Sequence, residues 1–528
     1  MSDVADEPIT EENPLESWED GSAFGVAKDK DPVCKTPVEE WIKNVEITST
    51  ADVPIPKNLV DQVIGQEAAS IVVRKAAEQR RHVIMVGEPG TGKSMLARSM
   101  TEFLPKEQLE DILVYRNQDD ENEPKVRTVP AGRGSRIISE RKALIKQQRE
   151  RTNRTLLFIV MIVGAALVLA TLSSGEILTL IFGSFLLIFG YFFLRGRLTA
   201  GDEGNIPKLL VKHERNEEPP FIDATGTLAG ALLGDVRHDP FQSGADLATP
   251  AHERVEPGAV HRANKGVLYI DEIRMLRMEE QQALLVAMQE KALSISGRSE
   301  RSSGALTKSE PVPTDFILIA AGNLDSIQNM HPALRSRIRG YGYEVYVNTD
   351  MPDTERNRRR LIRFVSQEVV NERKKTSGKP IPHFDIESIG LILKEAQRRS
   401  GRRGRLSLRL RELGGLIRIA GDLAVEENAE ITTASHVIRA RAIAKPLEQQ
   451  VADRYLERQA DYSMIVNKGE RIGRVNGLAV LGADSGLSDY SGVVLPVEAM
   501  VTAAHGRSGQ VIATGGLSDL AKESVTNI

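Results

Sequence analysis

Residues Gly87–Ser94 read "GEPGTGKS", a full match to the pattern G-x-x-x-x-G-K-[ST]. This stretch constrains the fold more than any other. The pattern works only where a strand stops, the chain turns through glycines and a helix begins, so that backbone N–H groups surround a polyphosphate. The flanks meet that condition. "HVIMVG" ahead of it is a short apolar strand, and "SMLARSMTEFL" after it has helical spacing. Gly87, Gly90 and Gly92 let the backbone approach the phosphates, with Glu88, Pro89 and Thr91 completing the loop. Lys93 is expected to reach the β and γ oxygens, and Ser94 to offer its hydroxyl to Mg²⁺.

A parallel α/β core needs further strands ending at the same edge. "GVLYIDEI", Gly266–Ile273, supplies one: four apolar residues, then two acids at the carboxyl end. Asp271 is expected to hold Mg²⁺ through water, and Glu272 to activate the attacking water. "DFILIAAGN", Asp315–Asn323, supplies another, ending on Asn323 as a water-positioning residue. In "MHPALRSRIRGYG" the arginines Arg335, Arg337 and Arg339 follow a helical segment. An arginine given to a neighbouring subunit stabilises γ-phosphate charge, and Arg337 is the chosen candidate.

Between the two halves of this site lie two uncharged runs. Leu156–Leu172 and Ile177–Leu194, about 17 and 18 residues, each match the roughly 17–25 needed to cross a hydrocarbon core. "SERKALIKQQRERTNR" precedes the first, and Arg195 and Arg197 follow the second. Positive charge on both sides of a hairpin places both ends in the cytoplasm, with Tyr191, Phe192 and Phe193 at the interface. The expectation is a chain anchored in the cell membrane by a multi-pass hairpin, with its working domains cytoplasmic.

The remainder is less constraining. A net charge of −4 and pI near 6.2 give no broad basic field, so nucleic acid is not an expected partner. The single cysteine, Cys34, excludes an internal disulfide or a cysteine metal cluster. The acidic start lacks the apolar core of a secretory signal and reads as a disordered tail.

Phosphate loop, Asp-Glu strand end, polar sensor and finger arginine, in this order, resemble the AAA+ superfamily of ring ATPases. "VIGQ", Val63–Gln66, resembles its adenine-packing segment, with Ile64 and Gly65 as the contacts. "EKALSISGRSERSSGALTKSEPVP" alternates like a β-hairpin insert and resembles the one in the branch that holds Lon. Roughly 175 residues separate the phosphate loop from Asp271, far more than compact strand–helix units need. A membrane hairpin inserted there resembles the membrane-anchored archaeal-type (B-type) Lon proteases. "LLGDVRHDPFQSG", "AHERVEPGAVHRANKGVLYIDEI" and "GRVNGLAVLG" agree with it, so the likeness runs from about Pro54 onward.

The resemblance implies an α/β fold: an AAA+ P-loop ATPase core with a parallel sheet, an inserted two-helix transmembrane hairpin, a small α-helical lid, and the start of an α/β Lon protease domain. The expected layout is a tail over 1–53, core over 54–134, membrane insert over 135–205, core over 206–375, lid over 376–468 and protease portion over 469–528. It further implies ATP and Mg²⁺, a homo-hexamer, unfolded or regulatory protein substrates, and ATP-dependent serine peptidase activity. Arg409, in "LSLRLRELGGLIRIA", aligns with the lid arginine that touches its own subunit's nucleotide, with Arg411 the alternative. Phe241, in "RHDPFQSGAD", is the expected pore aromatic that grips extended chain. The family's serine–lysine dyad falls past the segment resembling "SDLAKESVTNI", where this sequence stops, and no serine among Ser485, Ser491, Ser508 and Ser524 fits its motif. The expectation is a partial copy of a longer protein. The alternative is an ATP-driven unfoldase without proteolysis of its own.

Overall fold

The structure is a computed structural model that describes residues 32–106, 109–174, 177–200, 206–237, 249–297, 307–375, 378–445, 447–461, 468–481 and 491–501. The chain forms two compact units, Met1–Ile438 and Arg439–Ile528.

In the first unit, α1 (Glu67–Glu78) leads into β1 (Val83–Val86), and the glycine loop opens α2 (Lys93–Ser99). The chain then makes β2 (Glu110–Tyr115), β3 (Lys125–Pro130), α3 (Arg133–Ser174), α4 (Ile177–Ala200) and β4 (Lys208–Val211). It returns with β5 (Phe221–Asp223), β6 (Val267–Ile270), α5 (Met278–Glu290), β7 (Ile317–Gly322), α6 (Leu324–Gln328), α7 (Pro332–Tyr341) and β8 (Tyr343–Tyr346). The helices α8 (Glu355–Lys375), α9 (Ile386–Ser400) and α10 (Leu410–Glu426) follow.

The central sheet has the order β8–β1–β7–β6–β5, and every pair is parallel. Its strands read as unbroken apolar runs because both faces are covered. Ile84, Leu268, Ile270, Leu318 and Ala320 enter one core with α5 and α7, while Val83, Met85, Tyr269 and Ile319 enter the other with α1 and α2. Each fully buried aliphatic side chain contributes roughly 1.5–3 kcal/mol. A register slip of one residue would move every one of them to the wrong face, so the register is fixed. Parallel strands also share one carboxyl edge, so the ends of β1, β6 and β7 meet there.

The long segment between α2 and β5 builds its own three-stranded antiparallel sheet, β3–β2–β4. Ile112, Val114, Val126, Leu210 and Val211 pack with Val236, Val255, Ile295 and Val312. Val312 belongs to the hairpin insert, where Ala292–Leu293 pairs antiparallel with Val312–Pro313 and Ser296 bridges Lys308. The helices α3 and α4 rise from this platform and pack against each other. Among the described residues, one helix is long and apolar enough to cross a membrane, within Arg133–Leu169, and Ile181–Phe193 is a shorter apolar run. Only 6% of the apolar stretch in the first of these is buried. Phe158, Met161, Leu169, Phe182, Phe185 and Phe189 all stand exposed. Neither helix is therefore packed as a core helix among the described residues.

In the second unit, α11 (Leu447–Asp461) packs on a hairpin of β9 (Arg474–Leu481) and β10 (Ser491–Glu498), paired along its full length.

Candidate functional site

A cavity of about 490 Å³ lies at the carboxyl edge of the central sheet. Ile64, Pro89, Gly90, Thr91, Gly92, Lys93, Ser94, Asp271 and Glu272 line it, together with Arg411. One concave site thus gathers residues as far apart in sequence as Ile64 and Arg411.

The glycine loop takes its shape from β1, whose end is anchored by Gly87 N donating to Gly322 O at 3.1 Å. At Gly90 the backbone is left-handed, φ +80°, and a Cβ there would lie 2.8 Å from Arg411 Cβ. Glycine is required twice over at this position, once by conformation and once by space. Inside the loop, Lys93 Nζ donates to Gly87 O at 3.0 Å and Glu88 O at 2.9 Å. Lys93 is 5% exposed. Burial lowers its pKa, while the Asp271 and Glu272 carboxylates act in the opposite direction. The ammonium is thus held at the loop by two carbonyls, pre-set for an anion.

Next to the loop lysine, Ser94 Oγ lies 3.1 Å from the Tyr269 hydroxyl. Tyr269 sits within β6 and is 1% exposed. Burial raises its pKa, so it remains a neutral phenol. The sequence reading treated it as one of four apolar strand residues. The available signal was a polar tip in an otherwise aliphatic strand, which must find a partner when buried.

The two acids differ in their surroundings. Asp271 N donates to Thr225 Oγ1 at 2.9 Å, and Glu272 N donates to Asp271 Oδ1 at 3.0 Å. Glu272 has a left-handed backbone, φ 49°, a strained conformation for a non-glycine residue at the strand end. Its Oε2 accepts a 2.5 Å hydrogen bond from Ser326 Oγ. Asn323 does not line the cavity; its Oδ1 accepts from Ser326 N at 2.7 Å and caps α6. Asn323 therefore holds Ser326, and Ser326 holds Glu272. Ser326 escaped sequence reasoning because a serine one turn into a helix carries no distinguishing pattern.

The other predicted residues divide. Gly65, φ 69°, bends the chain beside Ile64, and the next residue, Gln66, is buried. Gln66 Nε2 donates to Asn348 O at 2.7 Å and Asn348 N donates back to Gln66 Oε1 at 2.9 Å. That amide clamp ties the segment before α1 to the chain beyond β8. Arg409 is not at the cavity wall; its Nε donates to Glu88 Oε2 at 2.9 Å. Arg411 lines the cavity instead, and its N donates to Gly90 O at 3.3 Å. The Arg409–Glu88 side chains are 27% and 46% exposed, so their pairing is worth at most about 1 kcal/mol. The lid is held instead by packing of α8 on α9 and α10, through Leu413, Leu416, Ile417 and Ala420. Arg337 lies on α7, away from its own cavity, with its guanidinium 4.4 Å above the Tyr341 ring. Arg335 faces Glu344 at 3.6 Å, and Arg339 is exposed. Phe241 lies outside the described residues.

Three family models match parts of the chain. The family model for the archaeal LonB AAA+ ATPase lid domain matches residues 383–445. That for magnesium chelatase subunit ChlI matches 59–129, and that for the sigma-54 interaction domain matches 241–334. The archaeal Lon protease of Thermoplasma acidophilum is 54% identical over 493 residues, covering 93% of this chain and 74% of the relative. The Archaeoglobus fulgidus protein is 52% identical over 494 residues, covering 93% and 76%, and that of Halobacterium salinarum 47% over 510, covering 96% and 70%. With a nucleotide-binding AAA+ core, a LonB lid and identity of this extent, the chain belongs to the archaeal Lon protease family, ATP-dependent peptidases with ATPase activity.

Proposed function

We propose that this chain hydrolyses Mg²⁺-ATP as part of a homo-hexameric ring held on the membrane, and uses the energy to unfold protein substrates for degradation at the cytoplasmic face. The observation that carries the reading is the convergence of Lys93, Ser94, Asp271 and Glu272 on one cavity. Lys93 binds the β and γ oxygens from a position already shared with two loop carbonyls. The Ser94 hydroxyl and Asp271 carboxylate are hard oxygen donors on the same wall, the donor type Mg²⁺ takes. When bound, that ion neutralises phosphate charge. Glu272 is the base for the attacking water, oriented by Ser326 and, through it, by Asn323. Arg411 and Arg409 bring the lid to the phosphate loop.

A finger arginine serves a neighbour's site, so its own cavity is not where it should sit. Arg337 on α7 fits that condition. Apolar side chains exposed along α3 and α4 support membrane anchoring, since water would penalise each of them. Phe241 is proposed as the residue that grips extended substrate.

The test uses two inactive variants. Lys93→Ala abolishes the chain's own site, and Arg337→Ala abolishes the neighbour's. Mixed subunits recreate wild-type sites wherever an Arg337→Ala subunit is served by a Lys93→Ala neighbour. ATP hydrolysis that reappears on mixing supports a shared site in a ring. Two variants that stay silent together, though co-assembled by sedimentation, would refute the assignment of Arg337.

A further inference from the structure

One wall of the cavity is the helix α8. Phe364, Gln367, Glu368 and Asn371 line it, spaced three, four and seven along one helical face. Two of the polar members differ in what already occupies them. The Glu368 carboxylate accepts from Arg418 Nη1 at 2.9 Å. Gln367 is 4% exposed, and its Nε2 has no hydrogen-bond partner among the described residues. Buried side-chain donors are paired in the large majority of cases, so an unpaired one in a side chain that lines the cavity marks a place where a ligand atom is expected.

The geometry of the cavity says which part of a ligand that is. Phosphates belong among the loop, Lys93 and Ser94. The segment Val63–Ile64 supplies an apolar surface on the same cavity as Gln367. A flat ring laid against Ile64 presents its edge to side chains around it. An amide N–H needs an acceptor with an in-plane lone pair, and a purine ring nitrogen is that group. We propose that Gln367 reads the nucleobase, donating from Nε2 to a ring nitrogen of the adenine. This rests on the reading of the cavity as an ATP site.

The test is equilibrium binding of ATP, its 1-deaza, 3-deaza and 7-deaza analogues, 2′-deoxy-ATP and inorganic tripolyphosphate to the full chain in detergent micelles. Each deaza analogue replaces one ring nitrogen by C–H and so deletes one acceptor. In the wild type, one of the three should bind about tenfold more weakly than ATP. In Gln367→Met, of nearly equal shape but without a donor, ATP should itself weaken about tenfold and that analogue should lose nothing further. Tripolyphosphate should bind both proteins alike. Three deaza analogues that bind the wild type as ATP does would overturn the proposal, and this series needs no variant to fold. A deaza penalty that persists in Gln367→Met, or a loss confined to 2′-deoxy-ATP, overturns it as well. If neither ATP nor tripolyphosphate binds, or if Lys93→Ala changes neither, the nucleotide site itself is wrong, which is a distinct result.

Discussion

Asp111 fixes both roots of the long insert, and its removal is a sharp test of how that insert is held. The residue lies in β2 and is fully buried. Its Oδ2 accepts from Gly134 N, in the first turn of α3, at 2.7 Å. Its Oδ1 accepts from His213 N, just beyond β4, at 2.8 Å. One carboxylate therefore joins the point where the chain leaves for the hairpin to the point where it returns. The approach is close: a Cβ on Gly134 would lie 2.7 Å from Leu209 Cδ1 and 2.9 Å from Asp111 Oδ2. Asp111→Ala leaves two buried N–H groups without an acceptor, at about 1–3 kcal/mol each, or about 2–6 kcal/mol together. Against a net stability on the order of 5–15 kcal/mol, that is a large loss, and it is local. Since 1.4 kcal/mol is a factor of ten, peptides covering 131–135 and 212–214 should exchange amide hydrogens at least ~25-fold faster. Peptides over Gly87–Ser94 should not change. Asp111→Asn keeps one acceptor oxygen and should fall between. Exchange by mass spectrometry decides the matter. Unchanged rates in a folded Asp111→Ala protein would mean the carboxylate is not what seals those amides. Equal acceleration at the phosphate loop would mean the loss is global and the clamp is not a local device.

Two further predictions follow from the site and the core. Tyr269→Phe keeps the ring packed in β6 but removes the hydroxyl 3.1 Å from Ser94 Oγ, so stability should fall by only about 0.5–1.5 kcal/mol while the Mg²⁺ concentration needed for half-maximal ATP hydrolysis shifts several-fold; a Mg²⁺ titration identical to wild type counts against a role for this pair. His261 is fully buried and His82 half-buried, and each is neutral at pH 7 with a pKa lowered to about 4, chiefly by desolvation. The unfolded chain binds protons at these positions near 6.5 and the folded chain does not, so their contribution is present above about pH 6.5 and is lost as pH falls towards 4. Chemical denaturation at pH 7 and pH 5 should show the ATPase unit less stable at the lower value, and equal midpoints would contradict neutral burial.

How much of this was legible beforehand depends on the range over which each signal acts. The phosphate loop was readable because its chemistry is local. Its glycines, Lys93 and Ser94 lie within eight consecutive residues, and their spacing is dictated by one strand–turn–helix. The Asp-Glu strand end and the two apolar runs were readable for the same reason. The lid arginine was less so. Arg409 and Arg411 are two apart at the start of one helix, and a sequence pattern does not say which faces the cavity. That choice is made by the left-handed turn at Gly90, whose missing side chain leaves room for Arg411.

The supporting residues were beyond reach for a stronger reason. Ser326 bonds a glutamate 54 positions away, Tyr269 a serine 175 away, and Gln66 a backbone 282 away. Each is an ordinary residue whose role exists only after the parallel sheet brings the carboxyl ends of β1, β6 and β7 to one edge. The same logic applies to Gln367. In sequence it is one polar position on a strongly charged helix, and only packing of that helix onto the lid makes its amide a buried donor on the cavity wall. Residues that meet phosphate are thus fixed by the local geometry of one turn. The residues proposed to orient the base, the metal ligand and the nucleobase are fixed by tertiary contacts, and a substitution there should alter selectivity or ion dependence before it alters folding.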